Sequence, residues 1–185
     1  MYEFLNTNNQ KRKILKHFVL AEIISLIYGV VYRMYYNSWD MALVLFAFAL
    51  VAIVAIIFNS KGNYNIAKHI FFISTNFLMY YTSLTIGLKS GIYLFYFPVV
   101  LAYSFLLNVR NKKELLFYFA FTLCLFGSVL MDIELLKFMH IPKFPSPKFQ
   151  FETMALLSFL LVIYQTYLYI TDRETTQKQL IQTIN

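Results

Sequence analysis

The chain has 185 residues, 59% of them hydrophobic and 14% charged, with sixteen Lys and Arg against nine acids and a net charge of +7. A soluble domain of this length carries roughly a quarter charged residues, so the composition excludes an ordinary soluble domain and points to a polytopic membrane protein. The basic excess lies in short segments between apolar runs, with no basic recognition helix, so it speaks for membrane topology and lipid headgroups and against nucleic acid.

Six apolar segments follow in order, at residues 14–36, 40–58, 66–88, 91–107, 114–131 and 153–171. Each is about 17 to 23 residues, the length that crosses a hydrocarbon core as a helix. The expectation is an all-α, six-helix transmembrane bundle over residues 14–171. A polar segment, 1–13, precedes it and a polar stretch, 172–185, continues its last helix. The first segment is too long for a signal peptide and lacks a small-residue cleavage site. Eleven basic residues (Lys11, Arg12, Lys13, Lys16, Lys61, Lys68, Arg110, Lys112, Lys113, Arg173, Lys178) fall on one side and five (Arg33, Lys89, Lys137, Lys143, Lys148) on the other. The positive-inside rule then puts both termini in the cytoplasm of a plasma (inner) membrane. Tyr35, Tyr36 and Trp39 fall where an outer aromatic belt belongs.

The first segment carries the sharpest signal. Glu22, Ser25, Gly29 and Arg33 recur at helical spacing and share a face. A carboxylate inside a lipid-grade helix is costly unless it faces a partner, a cavity or water. Glu22 is therefore a candidate ligand, proton or ion contact, with a buried structural group as the plainer account. Arg33 lies about 16 Å further along the axis, too far to pair with Glu22 within the helix.

The third segment is the most polar. His69, Asn76, Tyr80, Ser83 and Gly87 fall on one face, widened by Ser74, Thr75, Thr82 and Thr85. Tight helix packing and a ligand-lining wall both account for this pattern, and Asn76 is the residue expected to bond Glu22. In the fourth, Pro98 removes a backbone donor, frees the Leu94 carbonyl and predicts a kink beside Tyr93, Phe95, Tyr96 and Phe97. In the sixth, Ser158, Gln165, Tyr169 and Asp172 share a face. Beyond it, Ile170, Gln177 and Ile184 are spaced by seven, a thin heptad pattern.

Chemistry motifs are sparse. Cys124 is alone, and His17, His69 and His140 form no ligand pair at metal spacing, so no metal or other cofactor is expected. There is no phosphate-binding glycine loop, nucleophile elbow or zinc-protease helix, so catalysis by this chain is not expected.

Six spans, short loops and a last helix that runs on into polar sequence resemble the N-terminal membrane regions of bacterial sensor histidine kinases. They also resemble the six-span membrane anchors of class III nucleotidyl cyclases. The stretch from Ser90 to Pro98, SGIYLFYFP, is similar to such sensors from the Bacteroidetes. No output-domain motif is present, so the resemblance implies an input module alone, working as a homodimer in the bilayer. It implies detection of a small lipophilic ligand or a bilayer property, with Glu22, Ser25, Asn76, Tyr80, Tyr96 and Gln165 as the lining. A small transporter or channel protomer with Glu22 as a proton or cation site is the alternative, although only one segment is broken by Gly and Pro.

Overall fold

The computed structural model describes residues 2–87, 90–107, 111–131 and 154–167, with side chains from residue 9 onward. Among these residues all regular structure is helical. The helices are α1 (Tyr2–Tyr35), α2 (Trp39–Ser60), α3 (Tyr64–Ile86), α4 (Tyr96–Leu106), α5 (Lys112–Leu130) and α6 (Met154–Tyr167). A 3₁₀ turn, Ile92–Phe95, leads into α4. Three of the helical stretches, Asn9–Tyr35, Trp39–Ser60 and Lys112–Leu130, are long and apolar enough to cross a membrane. Each expected span thus contains a helix among the described residues, and three of these helices are long and apolar enough to cross a membrane. The 132–152 connection, His140, and the heptad positions 170–184 lie outside the described residues.

Two departures from the expected boundaries have local causes. The polar segment 1–13 is not separate from the first span, because α1 runs unbroken from Tyr2. No Gly or Pro precedes Gly29, so nothing in the sequence stops the helix. The fourth span is not one helix kinked at Pro98. Pro98 is the third residue of α4, in the first turn, where backbone N–H groups have no intrahelical acceptor and a proline is tolerated. Residues Ile92–Leu106 then extend roughly 25 Å, short of a 30 Å hydrocarbon core.

The chain divides into two compact units, Met1–Leu78 and Met79–Asn185. In the first, α1 packs on α2 through a row of small residues. Ala42, Ala49, Ala52 and Ala55 are buried on α2, letting the backbones approach, and Gly29 is placed so that a Cβ would stand 3.0 Å from Leu45 Cδ1. The turn from α1 to α2 closes with Ser38 N–H on the Arg33 carbonyl and Asn37 N–H on that of Met34, with Asn37 left-handed at φ 56°. The same pair of bonds ends α2, from Asn63 to Phe58 and Gly62 to Asn59, with Gly62 at φ 92°. Both are Schellman endings, which satisfy the last carbonyls of a helix. Arg12 reaches across to the carbonyls of Asn59 at 2.8 Å and Ser60 at 3.3 Å, while Asn59 Nδ2 donates back to the Arg12 carbonyl at 2.9 Å. That reciprocal clamp fixes the basic end of α1 to the end of α2.

In the second unit, Tyr80, Leu84, Tyr96, Leu125 and Val129 form a buried cluster, with Phe121 and Phe126 against it. The buried hydroxyls of Tyr103 and Thr122 bond one another between α4 and α5. Asn111 caps α5, accepting from Glu114 N–H while its own amide donates to the Glu114 carboxylate, a reciprocal start of the capping-box type.

Candidate functional site

Helix α3 is the most enclosed stretch in the described chain. From Phe71 to Ile86 every residue except Ile73 is buried or half-buried. A helix surrounded by protein need not be lipid-compatible, and α3 carries more polar residues along its length than α2 does. Most of its hydroxyls and its amide fold back onto their own helix. Ser74 donates to the Phe71 carbonyl, Asn76 to that of Phe72, Thr82 to that of Met79 and Thr85 to that of Tyr81. Such back-bonding satisfies polar groups at slight cost to helix regularity.

Thr75 is different because it also reaches another helix. Its Oγ1 lies 2.9 Å from Glu22 Oε1 on α1 and 2.7 Å from the Phe71 carbonyl oxygen. The other Glu22 oxygen, Oε2, is enclosed and has no hydrogen-bond partner among the described residues. The expected Glu22–Asn76 bond is therefore not formed. Asn76 is fully buried and turned to Phe72, since one step along a helix rotates a side chain by about 100°. Ser25 also leaves the predicted stripe, being exposed and bonded to the carbonyl of Ala21. Three residues from Glu22 it stands about 60° off, whereas Gly29 and Arg33 return to within about 20°. Arg33 is buried, with its guanidinium 5.9 Å from the centre of the Tyr32 ring.

An open apolar groove of about 430 Å³ runs along α2 and α3, lined by Val51, Ile66, His69, Ile70, Ile73 and Ser74. His69 is exposed on its wall. No group of three His, Cys, Asp or Glu side chains able to hold a metal occurs among the described residues.

The remaining predicted lining residues belong to the second unit. Tyr80 and Tyr96 do come together, but in the filled cluster that packs α5. Gln165 is buried on α6 with its Oε1 unbonded among the described residues, seven residues beyond Ser158 and so on the same face. Ser158 is also buried, and its hydroxyl donates to the Leu94 carbonyl at 3.0 Å. Leu94 lies in the 3₁₀ turn four residues before Pro98, which has no N–H to offer its carbonyl, and Ser158 donates to that carbonyl from α6. Sequence reasoning found this freed acceptor and not its donor. It also missed Thr75 as the partner of Glu22, and the Arg12–Asn59 clamp, for which an Asn beside the last turn of an otherwise apolar helix was the available signal.

Three helices long and apolar enough to cross a membrane, with most interior polar groups bonded across helices or back onto their own turns, are the features of a membrane-associated helical domain. The sequence matches the MASE11 family model over residues 10–174, and the chain belongs to that family. MASE domains are membrane-associated sensory domains of signalling proteins, which agrees with the resemblance at that level. No curated protein and no solved structure matches the chain.

Proposed function

We propose that this chain is the membrane input domain of a bacterial signalling protein. It detects a small lipophilic ligand or a bilayer property and passes the signal through its last helix to a cytoplasmic output domain, a histidine kinase or a nucleotidyl cyclase. It has no catalysis of its own. In this reading six spans keep both termini on one side, the basic excess makes that side the cytoplasm, and the working unit is a homodimer in the inner membrane.

The observation that carries this reading is Glu22, a carboxyl inside an apolar helix with one oxygen against Thr75 and the other enclosed and unbonded. Ionisable groups in membrane helices mark functional contacts by default. A ligand with a hydrogen-bond donor on an apolar body would complete Oε2. If its affinity differs between two packings of the bundle, the balance between them shifts, and α6 moves by rotation or piston.

The test replaces Glu22 by Leu, which removes both oxygens at similar volume and leaves Thr75 bonded to Phe71. The full-length signalling protein in vesicles should lose or shift its response of output to lipid composition and added amphiphiles. A folded Glu22→Leu protein with wild-type response under every condition refutes the site.

A further inference from the structure

The two short contacts of Thr75 contain an accounting problem. Its hydroxyl has one proton and two oxygen neighbours, the Phe71 carbonyl at 2.7 Å and Glu22 Oε1 at 2.9 Å. Both distances are those of O–H···O hydrogen bonds, and each needs a proton between its oxygens. A backbone carbonyl can only accept, so the proton in the shorter contact is that of Thr75. The proton in the other contact must then come from the carboxyl.

We infer that Glu22 is held as a neutral carboxylic acid, its Oε1–H donating to Thr75 Oγ1 while Thr75 donates to the Phe71 carbonyl, so that the α1–α3 contact is a proton-binding site. The enclosed Oε2 supports this independently. An ionised carboxylate needs donors at both oxygens when water is excluded, whereas the carbonyl oxygen of an acid tolerates their absence at far smaller cost. The ionisable groups along the unit's helices leave the contact apolar. Helix α2 has none between Asp40 and Lys61. On α1 the neighbours are Lys16 and His17, both exposed, and Arg33 near the far end. On α3 they are Lys68 and His69, about 10 Å back along the axis from Thr75, with the Lys68 ammonium 5.6 Å from the centre of the Tyr64 ring.

The consequence is a latch whose state depends on one proton. Losing it puts a charge into an apolar interior and makes Oε1 an acceptor. Thr75 then has one proton for two acceptors, and either the bond between helices or the bond to Phe71 is given up. The site thus couples proton binding to the packing of α1 against α3. This inference stands on hydrogen-bond parity and does not require the ligand proposed above.

Difference infrared spectroscopy of the chain in lipid vesicles at neutral pH, in water and deuterium oxide, tests it. The expected result is a protonated-carboxyl C=O band that disappears in Glu22→Gln. Glutamine can donate to Thr75 as the neutral acid does, so that variant should keep the fold. Thr75→Val, which removes the acceptor, should shift the band, and Thr75→Ser should leave it near the wild-type position. A spectrum in which Glu22 contributes only carboxylate bands overturns the inference, as does a band indifferent to Thr75→Val. The two readings fail separately. A missing band removes the proton site and leaves the ligand reading standing, while a wild-type response of Glu22→Leu removes the ligand reading and leaves the band.

Discussion

The bond from Ser158 to the Leu94 carbonyl can be tested against the proline that makes it necessary. Ser158→Ala deletes a 3.0 Å hydrogen bond from a buried residue and leaves the carbonyl without that donor. The net loss of one bond is about 1 kcal/mol, and an orphaned acceptor costs about 1–3 kcal/mol. Interhelical bonds in membranes average lower, about 0.6 and at most about 1.7 kcal/mol. A destabilisation of about 1–2 kcal/mol is therefore expected. Pro98→Ala restores an N–H four residues beyond Leu94, and in the first turn of α4 the ring is not needed to break a helix. By itself this change should move stability by no more than about 1 kcal/mol. In the double variant the new N–H of the first turn of α4 faces the Leu94 carbonyl of the preceding 3₁₀ turn, so Ser158→Ala should become nearly neutral. The assay is reversible unfolding of the purified chain in mixed micelles for all four members of the cycle. Additivity within about 0.5 kcal/mol would show that Ser158 and Pro98 do not share the Leu94 carbonyl and would refute the reasoning.

Arg12→Lys should destabilise the α1–α2 pair nearly as much as Arg12→Ala, by about 1–3 kcal/mol in the same unfolding assay, because one ammonium cannot span the carbonyls of Asn59 and Ser60 as the guanidinium does. Gly29→Leu should cost about 1–3 kcal/mol by overpacking against Leu45, and Leu45→Ala in the same chain should recover most of it. Gly62→Ala meets open space at φ 92°, so its expected loss of about 1–2 kcal/mol is backbone strain alone. Equal stability of that variant in thermal unfolding would show that the α2 ending does not hold its left-handed residue.

Helix positions were legible because apolar runs bounded by Asn, Gly and Lys leave few alternatives. The predicted 40–58, 66–88 and 114–131 lie within two residues of Trp39–Ser60, Tyr64–Ile86 and Lys112–Leu130. What misled was Pro98. From sequence a proline in an apolar run reads as a mid-helix kink, and only the left-handed Gly91 at φ 74° and the 3₁₀ turn after it show that the α-helix starts there. At the site, Glu22 announced itself by being a carboxyl in lipid-grade sequence. Its partner did not, because Thr75 and Asn76 are adjacent, both polar, and differ by a rotation that composition does not encode. The one-proton limit on Thr75 is further from the sequence still, since it follows only from two distances to one oxygen.

The polar contacts that tie helices within each unit are few and individually weak. In the first unit they include Arg12 with Asn59 and Glu22 with Thr75, and in the second Ser158 with Leu94 and Tyr103 with Thr122. In a soluble protein, burial of apolar surface would dominate such bonds, but lipid is as apolar as leucine and gives helices little hydrophobic reason to associate. Packing of small residues and a handful of bonds of about 1 kcal/mol must then decide which arrangement is occupied. A ligand needs about 5.5 kcal/mol of differential affinity to drive a two-state equilibrium from 1:99 to 99:1, and far less to tip one that is nearly balanced. A bundle held by single, exchangeable bonds can be tipped at any of them. The contact where one oxygen is left unbonded and one proton decides the other is the place where a small input has most to change.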